Sequence, residues 1–160
     1  MSAKRIFIGV AVVAVLLIVW SRSAEQQSGE NDASVIAANG VHWHPKLEIT
    51  ILGEEFPIPA NIGLIGGHNP MHTHAPEDAN GIGAPSDGII HLEYEGVVRE
   101  DDTRLSRFFE IWGKEFNNNQ IFNNVNSASG TVRMYVNGEE STEFENYMMQ
   151  HEDRIEIKFE

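Results

Sequence analysis

Three short stretches carry imidazoles at a spacing that can hold a metal ion. VHWHP holds His42 and His44, NPMHTHAP holds His72 and His74, and GIIHLEYE holds His91 with Glu93 two residues on. In an extended chain residues i and i+2 share a face, about 6.5–7 Å apart. Two neutral imidazoles so placed can converge on one ion, with metal–nitrogen bonds of about 2.0–2.1 Å. A lone histidine is usually a surface or hydrogen-bonded residue, and one such pair would be unremarkable. Here six of the seven histidines fall between positions 42 and 91. His42, His44, His72, His74 and His91 therefore form the candidate ligand set, drawn from three separate extended segments.

The ion expected is copper or zinc. Cysteine is absent, so a transition-metal site must be built from His, Asp, Glu and Met. Met71 beside His72 would favour copper if its thioether ligates; otherwise it packs. A closed four-coordinate site would favour zinc. His68 follows GLIGG in an expected loop and stands as an alternate ligand, while His151 reads as a solvated turn residue before the last strand.

Other chemistry has little support. The chain lacks G-x-S-x-G, a P-loop, the dinucleotide glycine pattern and HExxH. The residues DANG, at 78–81, lack the later acidic ligands of a calcium loop. An open coordination position on a histidine-bound ion could activate water, with Glu93 or Glu77 as base, but no substrate is indicated.

The elements that must position these residues read as α+β. KLEITIL alternates strictly and forms a half-buried strand, turned by GEE onto a short edge partner, FPIP. GIIHLEYE is a further strand. TRLSRFFEIWG is the main helix, expected over 103–112, with Leu105, Phe108, Phe109 and Trp112 on one face and Gly113 as its stop. FNNNQIFNNVNSASG reads as a polar connection. TVRMYV, the turn at Asn137–Gly138 and the alternating DRIEIKF complete the pattern, with a short helical turn at FENYMM. Phe108 and Trp112 are expected to be buried, with the helix packed on a single mixed sheet of four to six strands. The order of elements is similar to the β-grasp plan of ubiquitin-like folds.

The chain has 160 residues, enough for one domain plus attachments. Its net charge of −13 argues against nucleic acid, which needs a basic surface. Lys4 and Arg5 precede fifteen uninterrupted apolar residues, Ile6 to Trp20. As a helix this run is ~22 Å long, with Trp20 and Arg22 placed for a membrane interface. Residues 1–22 thus read as a transmembrane signal-anchor, or as a cleaved signal peptide with a mediocre site near Ser21 and Ser23. Residues 23–39 read as a flexible linker, and residues 40–160 as one extracytoplasmic domain.

HWHPKLEITILGEEFPIPANIG, MHTH, GIIHLE and FFEIWG together resemble a family of small exported bacterial and archaeal proteins with no settled function. The resemblance covers most of residues 41–112 and, more weakly, the final strands. This chain departs from it by the long stretch APEDANGIGAPSDG between HTH and GIIH. The resemblance implies one exported domain and no particular reaction. The expectation is therefore a membrane-tethered, histidine-clustered metal-binding protein. Two other classes stay open: a metal-free module for a membrane-protein partner, and a metal-dependent enzyme.

Overall fold

The computed structural model describes residues 34–76 and 85–160. The expected signal-anchor, residues 23–33 of the expected linker and Glu77 lie outside the described residues. No helix among the described residues is long and apolar enough to cross a membrane.

The described chain is α+β and mostly strands. In order these are β1 Val35–Ala37, β2 Val41–Trp43, β3 Lys46–Ile51, β4 Glu54–Glu55, β5 Met71–His72, β6 His91–Tyr94, β7 Val98–Arg99, β8 Phe116–Asn117, β9 Gln120–Ile121, β10 Asn124–Val125, β11 Val132–Val136, β12 Glu139–Ser141 and β13 Arg154–Phe159. Two helices, α1 Glu100–Thr103 and α2 Leu105–Trp112, separate β7 from β8.

The strands form four sheets among the described residues, not the single sheet expected. The largest has five strands in the order β12-β11-β13-β3-β4. Its last strand in sequence lies at its centre, parallel to β3 and antiparallel to β11. Leu47, Ile49, Val132, Met134, Ile155, Ile157 and Phe159 are buried on one face. The intervening Lys46, Glu48, Glu156 and Lys158 pair with one another in water. A second sheet has the order β2-β6-β5. The division falls at Pro45, which has no N–H to donate and restricts the residue before it. The ladder of β2 stops there and the chain turns into β3. Pro45 still serves the junction, because its carbonyl accepts the Ile90 N–H at 2.9 Å.

Two hairpins of the five-stranded sheet turn through residues at positive φ. Asn137 and Gly138 link β11 to β12 as expected, with φ of 53° and 87°. The first hairpin turns one step earlier than GEE suggests, at Leu52 and Gly53, so β4 is the Glu54–Glu55 pair and not FPIP.

Helix α2 begins at Leu105, two residues later than expected, because Arg104 is extended and separates it from α1. It ends at Gly113 in the left-handed region, whose N–H reaches the Glu110 carbonyl while Lys114 reaches Phe109. Leu105, Phe108 and Phe109 are buried in one cluster with the inner face of the five-stranded sheet. Trp112 is only half-buried, packed between Phe56, Phe108 and Phe122.

Two stretches read as irregular carry strands. Val35–Ala37, within the expected linker, pairs with β7, so the described body starts near Ser34. The polar connection after α2 folds as the small meander β8-β9-β10, with Phe116 and Ile121 buried.

Candidate metal centre

The register of the three-stranded sheet builds the site. β6 lies in the middle, and its residues His91 and Glu93 share one face. β5 places His72 directly opposite His91, and β2 places His42 directly opposite Glu93. Opposed side chains in an antiparallel pair stand about 4.5–5.5 Å apart at Cβ. His44 and His74 each lie two residues beyond a strand histidine and keep the same face. The ring pairs bear this out: His42–His44 centroids are 4.7 Å apart and His72–His74 are 4.6 Å apart.

His91 is the hub. Its ring centroid lies 4.7 Å from that of His74, 4.8 Å from His44 and 5.4 Å from His72, the last in a stacked arrangement. All five histidines expected as ligands therefore come together on one sheet face. Their donor atoms fall into two sets with every member within 4.8 Å of the others: His72, His74 and His91; and His42, His44 and Glu93.

Met71 does not belong to this face. It is adjacent to His72 in an extended strand, so it points the other way. There it is fully buried with Leu92, its cross-strand partner, in the apolar core. The thioether argument for copper falls with this placement. Thr73 faces away as well, donating to the Pro59 carbonyl and accepting the Ile62 N–H.

His72 is held in one orientation. Its Nδ1 lies 2.9 Å from the carbonyl oxygen of Asn69, which can only accept, so Nδ1 carries the proton in the neutral ring. The lone pair then sits on Nε2, which is 2.9 Å from Nε2 of His74. Two nitrogens on one tetrahedral zinc stand roughly 3.3 Å apart, so a small opening of this pair admits an ion. Such a fixed second nitrogen is a recurring support for metal-binding imidazoles. The loop that provides Asn69 is seated by Gly63, at φ +78°. A Cβ there would lie 2.5 Å from the Met71 carbonyl oxygen.

Two further histidines join the cluster. His68, the alternate ligand, packs edge-on against His72 at 4.7 Å and forms a third donor set with His72 and Glu93. His151, expected only as a solvated residue, accepts the His44 N–H at Nδ1 over 3.2 Å and lies 5.8 Å from the His44 ring. No local spacing announces either one. His68 arrives because the 61–69 loop folds back onto β5. His151 arrives because the turn before β13 is tied to Lys46, whose N–H reaches the Asp153 carbonyl at 2.7 Å.

Burial and mutual repulsion keep the inner rings neutral. His91 is pushed down to about 4, first by desolvation and then by the neighbouring His74, His44 and His72. His72 and His44 are also lowered, each mainly by burial; the Asn69 carbonyl opposes the shift at His72. Glu93 supplies the negative charge, with Oε1 at 3.6 Å from His42 Nε2 and 3.8 Å from His91 Nδ1. A cavity of about 750 Å³, lined by His42, His68 and Glu93 among others, opens beside this carboxylate. No family model, curated protein or solved structure matches the chain.

Proposed function

We propose that this chain is a membrane-tethered, extracytoplasmic protein that binds a transition metal ion, copper or zinc, through its histidine cluster. One observation carries the metal reading. His72, His74 and His91 bring a nitrogen each to within 4.8 Å of one another, with His72 pre-oriented by Asn69. Neutral imidazoles are the ligating form, and the lowered proton affinity of His91 and His72 supports that state at neutral pH. An imidazole set suits Cu²⁺ by intrinsic affinity and Zn²⁺ by four-coordinate geometry.

The tether and the location rest on the basic start and the apolar run at residues 4–20, and on the resemblance to small exported proteins. The five-stranded sheet supports a β-grasp reading, with its first hairpin at one edge and its last strand central and parallel to the first.

Elemental analysis of the purified full chain tests the metal assignment, with His72→Ala/His74→Ala beside it. The native chain should carry copper or zinc, and the double variant should lose at least half of it. Equal metal in both would sink the assignment.

A second reading, a metal-free docking module, draws on a different surface. A cavity of about 680 Å³ is lined by Ile62, Ile65 and Trp112, and Ile65 is almost fully exposed. A photo-crosslinker at position 65 that captures one membrane protein from chains free of metal would favour it.

A further inference from the structure

We propose that the cluster holds two metal ions side by side, one on His72, His74 and His91 and a second on His42, His44 and Glu93. The inference rests on the metal-binding reading above and extends it to a paired site. The donor sets decide the number. Three sets of three meet the distance requirement, but the set of His68, His72 and Glu93 borrows one ligand from each of the others. It cannot be filled beside either of them. The remaining two share no residue, so among the described residues the donor distances allow two ions at once.

The sheet explains why the sets are distinct. β6 provides one ligand to each, His91 and Glu93, two residues apart on the same face. β5 flanks His91 through His72, and β2 flanks Glu93 through His42. Each centre is thus one cross-strand pair plus one residue beyond a strand end, His74 or His44. The centres touch through His44 and His91, whose ring centroids are 4.8 Å apart.

The two centres differ in character. The first has three imidazoles and includes the buried His72. The second has two imidazoles and a carboxylate, and borders the cavity of about 750 Å³ beside His42 and Glu93. Glu93 offsets part of the charge of a second dication. Repulsion between like charges on adjoining ligand sets still makes the second ion bind more weakly than the first. Two ions held side by side would supply Lewis-acid sites for the oxygens of an anionic ligand. The open side of the second centre is where a small oxyanion would enter.

Equilibrium dialysis of the full chain against buffered Zn²⁺ tests this, at physiological ionic strength to screen diffuse surface binding. Bound zinc is counted by elemental analysis. The native chain should saturate at two ions. His42→Ala/His44→Ala should retain one, and so should His72→Ala/His74→Ala. Glu93→Gln serves as a second probe of the outer centre and should lower saturation from two toward one while circular dichroism stays native. Saturation of the native chain at one ion overturns the paired site. If that one ion is lost only with His72 and His74, the single-ion function survives. No bound zinc, together with no copper in the purified chain, overturns both.

Discussion

His91 concentrates the chemistry of the site in one side chain. Its neighbours and its burial hold its proton affinity down to about 4, whereas a histidine in an unfolded chain titrates near ~6.5. Between those values the unfolded state binds a proton that the folded state refuses. Unfolding then takes up protons, so stability is highest above about pH 6.5 and falls as pH drops toward about 4. His72 and His44 act in the same direction. With metal removed by chelation, the urea midpoint of the native chain should fall across this window. His91→Gln should show a shallower fall, because the variant lacks the repelled proton site. Parallel curves would argue that His91 does not feel its neighbours as the geometry requires.

At the scale of elements, Asp153 ties together the pieces that bring His151 to the cluster. Its carboxylate accepts from the Tyr147 hydroxyl at 2.7 Å, the Gln150 N–H at 2.7 Å and the Asn137 side-chain amide at 3.0 Å. Its carbonyl receives the Lys46 N–H just after Pro45. Asp153→Ala leaves these donors unpaired and should cost about 2–3 kcal/mol, read from denaturant unfolding. Tyr147→Phe removes one donor and should cost about 1 kcal/mol. Helix α2 is held by a different force. Phe108 is fully buried among the residues of the main core. Phe108→Ala should destabilise by about 3–5 kcal/mol through lost burial and the cavity left behind. The donor histidines stand on the face of β5 and β6 turned away from Met71, Leu92 and this core, so zinc capacity at low denaturant should be unchanged. A loss of capacity equal to that of the His72→Ala/His74→Ala variant would contradict this division.

Over the whole molecule the dominant fact is a net charge of −13. Such a field draws cations toward the surface and raises their encounter rate, and salt screens it over a Debye length of about 8–10 Å. Stopped-flow association of Zn²⁺ should therefore slow as ionic strength rises, while dissociation changes little. A rate independent of salt would show that the site is filled without help from the distant charges. The proposed topology is tested at the same scale. A reporter active only in the cytoplasm, fused after Glu160, should give no signal, and a strong signal would overturn the extracytoplasmic placement.

Much of this protein is written in local sequence. The strict alternation of KLEITIL and DRIEIKF forces two half-buried strands, because side-chain period and strand period agree. The i, i+3, i+4, i+7 spacing of Leu105, Phe108, Phe109 and Trp112 forces an amphipathic helix. The i+2 spacing of His42 with His44, of His72 with His74 and of His91 with Glu93 puts each pair on one face, because an extended chain has no other choice. Tertiary structure alone decided how the pairs meet. Register set His72 against His91 and His42 against Glu93, and register depends on hydrogen bonds between segments far apart in the chain. The same alternation that aligned the histidines turned Met71 into the core, a consequence that follows only because His72 faces the other histidines. Pro45 separates the histidine sheet from the five-stranded one, since a missing N–H matters only where a neighbouring strand would have used it. His68 and His151 reached the cluster through a folded-back loop and a turn anchored by Asp153. No spacing along the chain encodes such approaches, because they are made by contacts between residues that the sequence keeps apart.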